Sequence, residues 1–212
     1  IIGNVSVTSP NGNENFPVGT TQYIFWSSSA VNQMNVSYSL NNGGAWTSLA
    51  VVGASGGNYT WNIPEDFTIS NQAKVKVHDN LNSLVNDTSN STFNIVAYFN
   101  ITDPENGSPV IAGEPYTIAW NKKGTGVDNV ILEYSTNGGG NWTYIVNDTN
   151  HTVPNLGSYN WDPVPGTTLT TTGKIRITNL SAPAGTELDK TSAQFKIRPA
   201  IDTVDKPTVA TV

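Results

Sequence analysis

Residues 38–49 read YSLNNGGAWTSL, and residues 134–145 repeat the phrase as YSTNGGGNWTYI. In each copy a Tyr precedes an Asn/Gly tetrad and a Trp follows it. NNGG and NGGG supply the positive-φ positions that a tight hairpin turn requires. The approach to the turn alternates, so Met34, Val36 and Tyr38 share one strand face, as do Val130, Leu132 and Tyr134. A hairpin whose Tyr and Trp rings both pack inward explains the motif as architecture. The rival reading makes the Trp rings platforms for stacking sugars.

Outward from this motif the match continues through both halves. SPNGNENFPVGTTQYIFW (9–26) answers DPENGSPVIAGEPYTIAW (103–120), which pairs Trp26 with Trp120. NYTWNIP (58–64) answers SYNWDPV (158–164), AKVKVHD (73–79) answers GKIRITN (173–179), and Phe93 answers Phe195. The six Trp thus form three equivalent pairs. Short alternating segments separated by turn residues, without helical periodicity, predict strands near 4–9, 21–26, 33–40, 45–50, 58–62, 73–79 and 91–96. In the second half they fall near 98–102, 115–120, 128–135, 141–146, 157–162, 173–178 and 193–198. The fold expected is all-β, two tandem antiparallel sandwiches of about seven strands each, at 1–97 and 98–199, with an extended tail or linker at 200–212.

Composition narrows the function. Charged residues make up 12% of the 212, and 37% are hydrophobic, enough to build cores. A net charge of −6 argues against nucleic acid as a partner, since a basic footprint is missing. No apolar run reaches the length that spans a bilayer, so no membrane insertion is expected. Cysteine is absent, which removes disulfides and thiol chemistry. Starting at Ile1 without a Met, the chain reads as processed or as a piece of something longer.

The pattern SPNG…E…P.G….I.W, then YS.NGG..W, then Y.W..P resembles tandem immunoglobulin-like or fibronectin-III-like repeats of secreted and cell-surface proteins of bacteria and archaea. The resemblance runs from about residue 5 to 198. It implies the sandwich fold and an extracellular or cell-surface setting, with roles ranging from spacer and adhesin stalk to filament subunit. Where such repeats carry NGGE, this chain has NGNE in the first half and ENGS in the second.

No catalytic constellation is legible, and the chain is read as a non-enzyme. His78 ends a strand as a rim residue, and His151 sits in an Asn/Thr-rich loop. No cofactor is implied. Calcium is the one metal with oxygen-rich candidates, HDNLNSLVND (78–87) and DPENG (103–107), although Asp and Asn in loops ordinarily make turns.

Eleven N-x-S/T sequons occur, at Asn4, Asn35, Asn58, Asn86, Asn90, Asn100, Asn106, Asn141, Asn147, Asn150 and Asn179. Composition alone gives about six. Asn35, Asn58, Asn100 and Asn141 fall at outward strand parity, as a glycan requires, so covalent glycans are expected at some sites.

Assembly contacts are sought where the repeats differ. Tyr23 and Phe25 stand at outward parity where the second half has Thr117 and Ala119. They predict a contact with a copy of the chain or a neighbouring domain, or else cover by a local loop. Ile1 and Ile2 at one end, and Ile201, Val204, Val209 and Val212 in the tail, are the apolar residues suited to an end-to-end contact. The leading expectation is an extracellular structural subunit that assembles end to end into a filament or surface array. The alternative is a spacer or binding module of a larger adhesin or secreted enzyme.

Overall fold

The computed structural model describes residues 3–179 and 190–200, the pair 190 and 191 by backbone alone. In the first half the strands are β1 (Asn4–Ser9), β2 (Asn15–Pro17), β3 (Thr21–Ser29), β4 (Gln33–Ser39), β5 (Thr47–Gly53), β6 (Asn58–Asn62), β7 (Ser70–Asp79), β8 (Asn82–Thr88) and β9 (Phe93–Val96). In the second they are β10 (Tyr98–Asp103), β11 (Pro109–Ile111), β12 (Tyr116–Lys123), β13 (Asn129–Ser135), β14 (Thr143–Tyr144), β15 (Thr152–Pro154), β16 (Ser158–Trp161), β17 (Thr170–Asn179), β18 (Lys190–Thr191) and β19 (Phe195–Arg198).

The chain is all-β and forms two compact units. Among the described residues, unit 1 holds those up to Phe99 together with Lys122–Asn129 and Thr178–Asn179; unit 2 holds the rest. Each contains a three-stranded sheet and a larger one. In unit 1 these are β1-β3-β6 and β2-β9-β7-β4-β5, with β8 added to β7; the second half repeats the plan as β10-β12-β16 and β11-β19-β17-β13-β14. This is the immunoglobulin-like or fibronectin-III-like sandwich.

The core follows the alternation. Val5, Val7, Ile24, Trp26 and Trp61 from the small sheet meet Met34, Val36, Val75, Val77, Phe93 and Ile95 from the large one, all buried. The Tyr38 ring stacks on Trp61 at 5.3 Å, and Tyr134 meets Trp161 at 5.0 Å. Trp26 donates its indole N–H to the Ala54 carbonyl at 3.0 Å, and Trp120 donates to Asn155 Oδ1 at 2.9 Å.

The quoted hairpin is built as expected in its backbone and differently in one ring. Asn42 and Gly43 have φ of 55° and 89°, and Gly138 and Gly139 have 72° and 101°. Trp46 and Trp142, expected in the core, are only half-buried and lie outside it. Each lies against the turn glycine instead: a Cβ on Gly43 or Gly139 would stand 3.3 Å from the ring. A cation also lies over each ring, Lys76 Nζ over Trp46 and the Arg176 guanidinium over Trp142, both at 4.5 Å. An indole in contact with a glycine and a cation is satisfied without entering the core.

Several short strands were not expected. All of β8 but Thr88 falls in 78–87, whose Asn, Ser and Asp content reads as loop, yet it pairs with β7 from Lys76↔Thr88 to Asp79↔Asn82. β2 and β11 add in parallel to β9 and β19. Three-residue strands are shorter than the roughly four to eight residues over which alternation is read. Conversely, the strand expected at 141–146 shrinks to Thr143–Tyr144.

Candidate functional site

The outer side of the small sheet of unit 1 is the clearest candidate contact face. Alternation along β3 turns Ile24 and Trp26 inward and leaves Thr21, Tyr23, Phe25, Ser27 and Ser29 exposed. Asn58, Thr60 and Asn62 of β6 and Asn4 and Thr8 of β1 flank them, also exposed. The face carries aromatic, amide and hydroxyl groups and no charge. Tyr23 is 49% exposed and Phe25 42%, so among the described residues no local loop covers them. Their rings stack on each other, centroids 5.9 Å apart at 26°. At the matching positions of β12, Thr117 is exposed and Ala119 half-buried.

Of the remaining assembly candidates, Ile1, Ile2, Ile201, Val204, Val209 and Val212 lie outside the described residues. Other exposed apolar residues were passed over by the sequence reading, Leu81 and Leu84 foremost. Leu81, in the β7–β8 turn, and Leu84, early in β8, are 83% and 88% exposed. The available signal was two leucines in a segment rich in Asn, Asp and Ser.

Ten of the eleven sequon asparagines are exposed or half-buried: Asn4, Asn35, Asn58, Asn86, Asn90, Asn100, Asn106, Asn141, Asn147 and Asn150. Asn179 is the exception, at 8% exposure. It falls at the inward parity of β17, so the folded chain leaves no room for a glycan there. Asn58 sits directly opposite Phe25 in the β3–β6 register; a glycan there and a protein contact at Phe25 exclude each other.

Three carboxylates of the oxygen-rich segments are used internally. Asp79 Oδ1 accepts the Leu81 N–H at 3.0 Å, and Asp87 Oδ2 accepts the Val7 N–H at 2.8 Å. Asp103 Oδ1 accepts the Tyr116 hydroxyl at 2.7 Å and the Ser108 hydroxyl at 3.0 Å. Burial, with Asp103 alongside, pushes the Tyr116 phenol up to about 12. Among the described residues no three of His, Cys, Asp and Glu converge as metal ligands would.

The two departures from NGGE have separate solutions. Glu14 accepts the N–H groups of Asn11 and Gly12 at 2.6 and 2.7 Å. In the second half the Ser108 hydroxyl accepts the Glu105 N–H at 3.0 Å. His151 stacks on Tyr144 with centroids 3.9 Å apart, and its Nδ1 lies 2.8 Å from the Val146 carbonyl. His78 keeps its Nδ1 buried without a hydrogen-bond partner.

No family model matches the chain, and no curated protein does. Among solved structures, it is similar to the fibronectin(III)-like modules of CbhA from Clostridium thermocellum, at 14% identity over 95% of this chain and 98% of that one, TM-score 0.31. The N-terminal four Ig domains of Dscam1 isoform 1.9 are similar at 10% identity over 92% of this chain and 46% of that one, TM-score 0.37. The ectodomain of the teleost fish polymeric Ig receptor is similar at 9% identity over 92% and 98%, TM-score 0.34. Among the described residues no helix is long and apolar enough to cross a membrane.

Proposed function

We propose that the chain is a non-enzymatic extracellular structural module that associates with copies of itself, end to end, into a filament or surface array. The observation that carries this reading is the exposed Tyr23–Phe25 stack on an uncharged sheet face. The second repeat, built on the same plan, has no such pair. Two stacked aromatics left in water on one repeat alone serve neither core. The modules are taken as 1–97 and 98–199, with 200–212 as the segment that engages the neighbour. A heterologous contact of this kind gives open chains when its rotation does not close. In this reading the outer surfaces carry N-glycans at exposed sequons other than Asn58.

The second reading, a spacer or binding module within a larger surface protein of the tandem-repeat type, is favoured by the regular sandwich architecture with polar outer faces. Light scattering over a range of concentrations separates the two. The double variant Tyr23→Thr, Phe25→Ala copies the second repeat and leaves the core untouched. Concentration-dependent assembly that disappears in this variant, and in a chain ending after Arg198, supports self-association. A wild-type chain that stays monomeric at high concentration rules it out in favour of the spacer.

A further inference from the structure

Tyr23 and Phe25 are not the only outward difference between the repeats. In the β3–β6 register Tyr23 faces Thr60 and Phe25 faces Asn58. Asn58, Tyr59 and Thr60 spell a sequon, and both its Asn and its Thr are exposed. In the second repeat the same four positions are Thr117 facing Asn160 and Ala119 facing Ser158. There the rings are missing and so is the sequon, since residues 158–160 read Ser-Tyr-Asn. The aromatic pair and the attachment sequence thus occur together in one repeat and are absent together from the other, on facing residues of two paired strands.

The facing is close. The Trp26 N–H donates to the Gly57 carbonyl at 3.0 Å, so these two residues stand at a hydrogen-bonded position of the ladder. Phe25 and Asn58, the next pair, therefore stand at a non-hydrogen-bonded position, where facing side chains approach most closely. Tyr23 is the diagonal neighbour of Asn58 on the same face, and its ring stacks on that of Phe25 with centroids 5.9 Å apart. A group carried on Asn58 Nδ2 begins beside that stack. The Asn58 amide also donates to the Gly56 carbonyl at 3.1 Å; a substituted amide keeps one N–H, so this bond does not preclude attachment.

We propose that Asn58 carries an N-glycan whose first pyranose packs on the Phe25 and Tyr23 rings, and that this closes the face to association. Attachment joins Asn58 Nδ2 to the anomeric carbon of a lipid-phosphate-linked oligosaccharide, the donor used by a cellular oligosaccharyltransferase. The bond from that carbon to the phosphate oxygen breaks, the phosphate leaves with the electron pair, and the amide gives up one proton. A pyranose has an apolar face of C–H groups, and the two exposed rings offer it apolar area to cover. The same packing withdraws from water the rings that meet a neighbouring copy. The bare chain is then the form that assembles, and the chain modified at Asn58 the form that does not. The packing stands by itself; the closing rests on the assembly reading.

To test this, the full chain is secreted from yeast and its glycans are trimmed to the first N-acetylglucosamine with an endoglycosidase. Peptide mass mapping is expected to find Asn58 occupied. In NMR spectra the protons of the Asn58 sugar are expected upfield, shifted by the ring currents. Tyr23→Thr with Phe25→Ala is expected to abolish that shift while leaving the sugar attached and the other sugars unmoved. Light scattering then compares the trimmed chain with trimmed Asn58→Gln, which keeps the rings uncovered; only the variant is expected to assemble. The packing falls if Asn58 is bare, alone or with every other sequon, or if loss of the rings leaves its sugar signals unmoved. Assembly of both chains overturns the closing. If neither assembles, the closing falls with the assembly reading, and the sugar shifts alone decide the packing.

Discussion

Ser39 and Ser135 show how much a single hydroxyl does in this fold. Ser39 Oγ accepts the N–H groups of Asn41 and Gly43 at 3.2 and 2.9 Å and donates to Asn41 Oδ1 at 2.9 Å. Ser135 repeats these bonds with Asn137 and Gly139. Both serines are buried, so Ser39→Ala strands turn amides and is expected to lower stability by about 1–2 kcal/mol in urea unfolding. A change below about 0.5 kcal/mol would mean that water replaces the hydroxyl. Tyr116 offers a titration. Its neutral form is favoured in the fold, so its contribution to stability is complete below the unfolded value near 10 and is lost as pH rises through about 12. Ultraviolet titration is expected to show one tyrosine ionising last, and Tyr116→Phe to remove that step. For His78, burial first and Lys76 second lower the pKa below 6.5, against the pull of Asp79. The groups facing it from β4 and β8, Asn35 and Asn86, carry no charge. Its share of stability is therefore full above pH 6.5 and lost as pH falls through the lowered value, and Lys76→Gln is expected to raise that value in an NMR titration.

At the scale of elements, the β4–β5 hairpin separates the three Trp pairs into two kinds. Trp61 is buried against Tyr38, Phe16 and Phe67, and Trp61→Ala is expected to cost about 3–5 kcal/mol. Trp46 covers a glycine and carries a lysine, so Trp46→Ala is expected to cost about 1 kcal/mol. Equal losses in thermal or urea unfolding would return Trp46 to the core. The β7–β8 hairpin makes the opposite point, since its two exposed leucines touch little of their own unit. Leu81→Ser with Leu84→Ser is expected to change stability by less than about 0.5 kcal/mol; a larger loss would mean that they pack against their own chain in solution.

For the whole molecule, the absence of charge on the Tyr23–Phe25 face sets how its association responds to salt. Contacts between neutral groups are not screened. Self-association through this face is expected to hold constant or strengthen from low to high salt in light scattering. Dissociation on adding salt would move the contact to a charged surface elsewhere. Glycans belong to the same scale, because a sequon is usable only where the folded surface admits one. Mass analysis of chain made in a glycosylating host is expected to find Asn179 unoccupied.

The sequence by itself determined the duplication, the all-β class, the turn backbones and most of the core. Repeat matches and period-two alternation are local properties, legible over a few residues in Met34–Tyr38 or Ile24–Trp26. It also marked Tyr23 and Phe25, because a difference between repeats at outward parity needs only the alignment. Only the tertiary structure decided the seats of Trp46 and Trp142, since each ring meets a cation that β7 or β17 brings across. It alone buried Asn179, added β2, β8 and β11, exposed Leu81 and Leu84, and set Asn58 opposite Phe25. Those features depend on which strands become neighbours, and strand pairing joins residues far apart in the chain.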